Sequence, residues 1–195
     1  MCGSLFCFFC FVFLKMAPKY KRTFSFVNPV TKKRFSCKLQ SYQCMATNNR
    51  GKECKKKTII SFPYCHLHLL KISKLRVKES LIRFAGLGLF AEDYTKPPNA
   101  VVFKPKDIIM CFYGGEQITL AKLNNRYGDR QAPYAITKQD GTIYDAACSR
   151  NAFSCVNTNT DSSKINAKFV EKDNYVCLEA TKNIKNNAEI YVKYY

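Results

Sequence analysis

The sequence predicts a mostly-β domain over residues 80–195, preceded by a basic region that holds a small metal-nucleated segment at residues 41–79. Three observations predict it. Beyond residue 80 the chain breaks into short apolar runs split by strong turn residues. Positive charge is concentrated before residue 80, and three cysteines and a histidine are grouped between residues 44 and 68.

The expected strands are Leu81–Phe84, Gly88–Ala91, Ala100–Phe103, Ile108–Tyr113, Tyr134–Thr137, Thr142–Asp145, Ala167–Val170, Tyr175–Ala180 and Ile190–Lys193. Pro97-Pro98-Asn99, Asp140-Gly141 and Asn186-Asn187 punctuate them with turn chemistry. One helix is expected at Leu120–Tyr127, with Thr119 as its cap. Residues 69–80 fit a short helix or a connecting strand, since periodicity does not separate the two. Residues 17–40, basic and aromatic with weak alternation, fit a hairpin or an ordered arm.

A hydrophobic content of 47% excludes wholesale disorder. The 11 cysteines are odd in number and irregularly spaced, which points to reduced intracellular thiols, some holding metal, rather than a disulfide framework. The net charge of +18 is uneven: residues 1–80 hold 17 Lys and Arg against 2 acids, whereas residues 81–195 hold 15 against 12. A polycation of this kind seeks polyanions, and nucleic acid is the commonest inside a cell. The bland alternative is a solubilising, partly disordered leader over residues 1–40. The apolar run Leu5–Leu14 is shorter than the roughly 20 residues of a bilayer span, so no membrane partner is expected. It has no basic flank before it, as a signal peptide would, and Met16 offers an alternative start.

Cys44, Cys54, Cys65 and His68 supply thiolates and an imidazole, the donors of a closed tetrahedral zinc site. Cys37 and His66 are competing ligands. Gly51 and the Pro63-Tyr64-Cys65 turn suit a small knot that needs its metal to fold. Lys52, Lys55, Lys56 and Lys57 around it could grip phosphate. The segment resembles short three-cysteine, one-histidine modules of some large DNA viruses and protists.

Gly86-Leu87-Gly88-Leu89-Phe90-Ala91 also satisfies the degenerate dinucleotide-binding pattern, which must open a helix facing a pyrophosphate. Pro97-Pro98 follows too soon for such a helix, and no alternation of strand and helix comes later. The segments that follow in order are Met110 to Thr119 with Tyr113-Gly114-Gly115-Glu116, then Tyr134, then Asp145-Ala146 leading to Arg150-Asn151 and Val156-Asn157. Asn166-Ala167, Val176 to Ile184, and Glu189-Ile190 leading to Lys193-Tyr194 complete the series.

This order and spacing resemble the SET domain, the fold most protein lysine methyltransferases use, over about residues 80–195. The resemblance implies a SET-like fold of several short sheets with a C-terminal pseudoknot. It implies transfer of methyl groups from S-adenosylmethionine to a protein lysine, with a histone tail the natural substrate and the nucleus, or a host nucleus, the compartment. By the same resemblance Tyr194 and Tyr113 would be catalytic, and Gly86, Leu87, Gly88, Tyr134, Asn157 and Thr158 would bind the cofactor. Tyr113, Tyr134 and Val192 would line the lysine channel. Val192 falls where the family often carries an aromatic that limits methylation, so di- or trimethylation is expected. Thr158 and Ser154 depart from the family's histidine and arginine, which leaves a catalytically silent chromatin- or DNA-binding module as the alternative. The channel could be closed by a partner, by the substrate peptide or by the N-terminal segment.

Overall fold

The computed structural model describes residues 22–111, 114–128 and 132–194. Among the described residues the strands form seven small sheets, most of them two-stranded. The N-terminal pair is β1 (Thr23–Val27) and β2 (Arg34–Lys38), which answers the choice between hairpin and arm. Alternation puts Phe24, Phe26, Phe35 and Cys37 on the half-buried face and Thr23, Ser25, Arg34 and Lys38 outside. Asn28 shapes the connecting turn, its Oδ1 accepting from Val30 N at 2.9 Å and Thr31 N at 3.0 Å.

Two short strands, β3 (Tyr42–Gln43) and β4 (Lys57–Thr58), then enclose the cysteine-bearing loops. Residues 69–80 are shared between helix α1 (His66–Ser73) and strand β5 (Leu75–Glu79), so both alternatives are used in turn. Lys74 makes the break: it adopts a left-handed conformation at the helix C-cap, with φ 54°. β5 pairs antiparallel with β6 (Leu87–Ala91), whose five residues are those of the glycine motif after Gly86. A strand at this position is incompatible with the dinucleotide reading.

The expected strand Leu81–Phe84 is instead a tight turn. Phe84 has a positive φ of 66°, Ala85 N donates to Ile82 O, and Leu81 N is drawn to the Glu189 carboxyl group. β7 (Val101–Phe103) and β8 (Ile108–Cys111) fall within their expected ranges. β9 (Glu116–Ile118) is a strand the sequence does not predict; one residue, Thr119, separates it from the helix that follows. That helix, α2, spans Leu120–Tyr127, and Thr119 Oγ1 accepts from Lys122 N as a cap should.

β10 (Ala135–Thr137), β11 (Ile143–Asp145) and β9 make one three-stranded sheet in the order β10-β11-β9. β13 (Ala167–Lys172) and β14 (Tyr175–Ala180) form a hairpin whose turn residues, Asp173 and Asn174, both have positive φ, as a tight primed turn demands. β8 joins the open side of β14. The last elements are β12 (Asn157–Thr158), β15 (Ile184–Lys185), which pairs with β7, and β16 (Tyr191–Val192), which runs parallel to β12.

Leu69, Leu75, Leu89, Phe153, Val156, Leu178, Ile184, Ile190 and Val192 share one core. The metal-ligand segment has only a small buried cluster of its own, Cys44, Ala46 and Cys65, and Ile60 and Leu69 tie it into the main core. The expectation of reduced thiols is corrected at four positions. Cys37 is bonded to Cys148, and Cys111 to Cys177. The β8–β14 register sets Cys111 directly opposite Cys177, so their side chains share one face. Among the described residues no helix is long and apolar enough to cross a membrane.

Candidate active site and metal centre

Three segments distant in sequence meet around Glu189. This residue is 2% exposed, and its carboxyl oxygens accept from Ser80 Oγ at 2.7 Å, Leu81 N at 2.7 Å, Asn157 Nδ2 at 3.1 Å and Tyr191 Oη at 2.8 Å. Four donors fill the roughly four lone-pair sites a carboxylate offers. Asn157 Nδ2 also lies 2.8 Å from Leu87 O, which fastens the Asn157 loop to the glycine motif. Its NH2 group is spent inside the protein, so Oδ1 and the backbone are what Asn157 can offer a ligand.

The C-terminal segment is gripped from both sides. Ile190 N donates to Leu89 O of β6 at 2.8 Å. On the other side Asn166 takes Tyr191 N on its Oδ1 at 2.9 Å and gives its Nδ2 to Glu189 O, also at 2.9 Å. This aims Tyr194 back at the Asn157 loop, where its hydroxyl donates to Val156 O. Its ring stacks on Phe169 at 6.2 Å, nearly parallel at 14°. The residue is 38% exposed overall, although its hydroxyl is engaged by Val156 O. Burial, helped by Cys155 and Tyr134, pushes its pKa up to about 12.

Two glycines permit the close approaches. A Cβ on Gly88 would fall well inside contact distance of Glu189 Oε1 and 2.7 Å from Cδ. Gly115, at φ +144°, lets the turn after β8 lie against Asp145, where a Cβ would be 2.8 Å from the carbonyl carbon. Four donors hold the Glu189 carboxyl, so it cannot swing aside. Gly88→Ala is expected to cost about 2 kcal/mol or more through overpacking, read as a lowered thermal midpoint. A variant as stable as the parent would show that this packing is slack.

The other sequence-expected positions fall as follows. Gly86 adopts φ +77° with open space around it, and Leu87 begins β6. Tyr134 is half-buried, with the Arg150 guanidinium 3.8 Å from its ring centroid and Phe24 edge-on at 5.5 Å. One face of Tyr134 is thus already taken by a cation. Thr158 is exposed in β12, whereas Val192 is fully buried in the core. Tyr113 lies outside the described residues, between Cys111 and Gly114. Ser154 is buried within a short 3-10 turn (Ala152–Cys155) capped by Asn151, its Oγ donating to Asn151 O at 2.7 Å. Sequence reasoning missed Ser80, Tyr191 and Phe169 as parts of the site. No local signal marks them, because each matters only through the fold that brings Glu189 or Tyr194 to it.

Three tyrosines of this region hold their protons unusually tightly. Burial, then the hydrogen bond to Glu189, pushes Tyr191 up to about 12, like Tyr194. Tyr127, buried and bonded to Asp145 at 2.8 Å, is raised further still. An unfolded tyrosine ionises near about 10, so above that pH the folded state binds more protons than the unfolded state. The stability these groups contribute is complete below about pH 10 and is lost as pH climbs toward about 12. An alkaline ultraviolet titration should show three phenols that ionise well above the usual tyrosine range. Ordinary titration of every tyrosine near pH 10 would contradict this.

Cys44, Cys54, Cys65 and His68 bring four ligand atoms within 4.8 Å of one another. His68 Nδ1 is 3.3 Å from Cys44 Sγ and 3.4 Å from Cys65 Sγ. The ligand atoms of a tetrahedral zinc site are separated by about 3.5–3.8 Å, so this donor set fits that ion with little adjustment. The local fold explains the grouping. Cys65 is the N-cap of α1, which puts His68 one helical turn above it. Cys44 N donates to Lys56 O and Cys54 N to Ala46 O, folding the loop back on itself. The competing ligands drop out: Cys37 is in a disulfide, and His66 is exposed outside the group.

No protein-family model and no curated protein matches the chain. Among solved structures it is similar to the methyltransferase domain of human PR domain-containing protein 2, with 15% identity and a TM-score of 0.49 over 70% of this chain and 88% of that one. It is also similar to the Chaetomium thermophilum polycomb repressive complex 2, with 24% identity and a TM-score of 0.47 over 62% of this chain. The same complex, in an autoinhibited conformation bound to S-adenosylmethionine, gives 25% identity and a TM-score of 0.46. The match spans 15% of the chain compared in that complex. At such TM-scores these likenesses carry no functional argument, and the site must speak through its own geometry.

Proposed function

We propose that the chain is a SET-like, S-adenosylmethionine-dependent protein lysine methyltransferase whose C-terminal segment is threaded beneath the Asn157 loop as a pseudoknot. The observation that carries this reading is that the Tyr194 hydroxyl meets the Asn157 loop at Val156 O, while that loop and Leu87-Gly88 of the glycine motif meet at the buried Glu189 hub.

S-adenosylmethionine, when bound, supplies a methyl group on a sulfonium that a neutral amine can displace in line. The chain's task is then to align amine and methyl at near-attack distance, which can account for much of the acceleration. The backbone at Gly86, Leu87 and Gly88, with Asn157 Oδ1 and Thr158, would hold the cofactor, and Tyr134 would lie between cofactor and lysine. Tyr113 and Tyr134 would wall the lysine stem. The Tyr194 hydroxyl keeps its proton across the working pH range, so it orients the reacting groups and does not act as a base. Lysine must shed its own proton, which burial beside cations favours; the Arg150 charge behind Tyr134 adds to that effect. Val192, small and without a hydroxyl, would line the inner end of the lysine channel and leave room for di- or trimethylation, and exhaustive turnover ending at monomethyl-lysine in a mass spectrum would contradict this.

The four-ligand group would bind structural zinc. The exposed face of the hairpin (Arg34, Lys38) and the lysines of the knot (Lys52, Lys55, Lys56, Lys57) would meet nucleic acid, placing a histone tail within reach in the nucleus. Incubation with labelled S-adenosylmethionine and nucleosomes tests this: label should pass to a histone lysine. A second reading, a silent chromatin-binding module, draws on the exposed Thr158 and on the Asn157 amide spent within the protein. It predicts nucleosome binding without cofactor binding.

A further inference from the structure

Tyr134 does not stand alone on the side proposed for the substrate; it is backed by the N-terminal hairpin. Phe24 of β1 meets it edge-on at 5.5 Å. The Arg150 guanidinium lies 3.8 Å from the Tyr134 ring and 5.4 Å from that of Phe24, so it packs against both. Arg150 Nε is buried with no hydrogen-bond partner among the described residues, so stacking is the interaction that fixes this end of the side chain.

The hairpin is in turn built into the domain. Phe26 and Phe35 pack edge-on against the Tyr127 ring at 5.1 and 6.0 Å. Asn28 is fully buried and its Nδ2 donates to Asn124 O at 3.1 Å and Asn125 O at 3.0 Å, capping the last turn of α2. Cys37 is bonded to Cys148, two residues before Arg150. Gln40 N donates to Cys148 O at 2.9 Å. Hydrogen bonds, a disulfide and the packing of three hairpin phenylalanines on Tyr127 and Tyr134 hold this hairpin, more than a solubilising leader requires.

We propose that the β1–β2 hairpin is a fixed part of the substrate-side wall, in which Phe24 and Arg150 act as positioning residues that set the orientation of Tyr134. The proposal rests on the reading that Tyr134 lines the lysine channel, and it names the element that closes that side. Phe24 and Arg150 meet Tyr134 and each other through ring contacts, while Gly86, Gly88 and Asn157 would hold the rest of the cofactor, so a shift of Tyr134 should weaken peptide binding far more than cofactor binding.

The test uses the full-length, metal-loaded protein and two variants, Phe24→Ala and Arg150→Gln, with S-adenosylmethionine affinity by calorimetry and steady-state kinetics on a histone-tail peptide. Cofactor affinity should stay within about twofold, while KM for the peptide rises by about tenfold or more with a smaller change in kcat. Phe24→Tyr should restore KM, because its ring can still reach Arg150 and Tyr134. An active parent with unchanged KM in both variants would overturn the proposal. So would a parallel loss of cofactor affinity and melting temperature, the mark of a merely structural role. A parent that neither binds the cofactor nor methylates would overturn the functional reading and this proposal together, an outcome distinct from both.

Discussion

Replacing Tyr194 by phenylalanine should lower methyl transfer by about a hundredfold or more while leaving S-adenosylmethionine affinity within about twofold. The substitution removes one oxygen and nothing else. The ring keeps its stack on Phe169, and β16 keeps its parallel pairing with β12. The fold loses one hydrogen bond, to Val156 O, worth about 1 kcal/mol. Loss of rate with retained cofactor binding and a small drop in melting temperature would therefore locate the effect in alignment of the reacting groups. A variant with parental kcat would remove Tyr194 from the proposed chemistry.

The second large effect concerns the metal centre. Cys44→Ser, or treatment with a strong chelator, should release one zinc per chain and lower the melting temperature by about 10 °C or more. The segment has little else to hold it, since β3 and β4 are two residues each and its own buried cluster consists of Cys44, Ala46 and Cys65. The loss should spread, because Leu69 of α1 and Ile60 belong to the main core. Elemental analysis and calorimetry check both parts. A chelated protein that melts like the parent would show that the ligands are near one another without holding a structural ion.

Much of this architecture is legible in the sequence because it is written in local chemistry. Thr119 and the residues after it specify α2 to the residue, and the β13–β14 pair follows from alternating apolar runs. The four metal ligands are also legible, since thiolates and imidazole at such spacing have few other uses. What escapes is long-range. Leu81–Phe84 reads as a strand but turns, because Glu189, more than a hundred positions later, takes the Leu81 amide. The cysteines of β8 and β14 pair through strand register, which composition does not contain. Glu189 appears in the sequence as part of a terminal motif; that it gathers Ser80, Asn157 and Tyr191 is a property of the fold. The hairpin is the same case, with aromatic residues evident in the text and their partners Tyr127, Tyr134 and Arg150 supplied by tertiary packing.

The central claim is that the glycine turn and the Asn157 loop together hold a sulfonium cofactor, and titration of the zinc-loaded protein with S-adenosylmethionine in a calorimeter addresses it directly. One equivalent should bind, and Gly88→Ala, which disturbs the Glu189 hub, should abolish or greatly weaken the heat. A flat titration with a correctly folded, metal-replete parent would contradict the account.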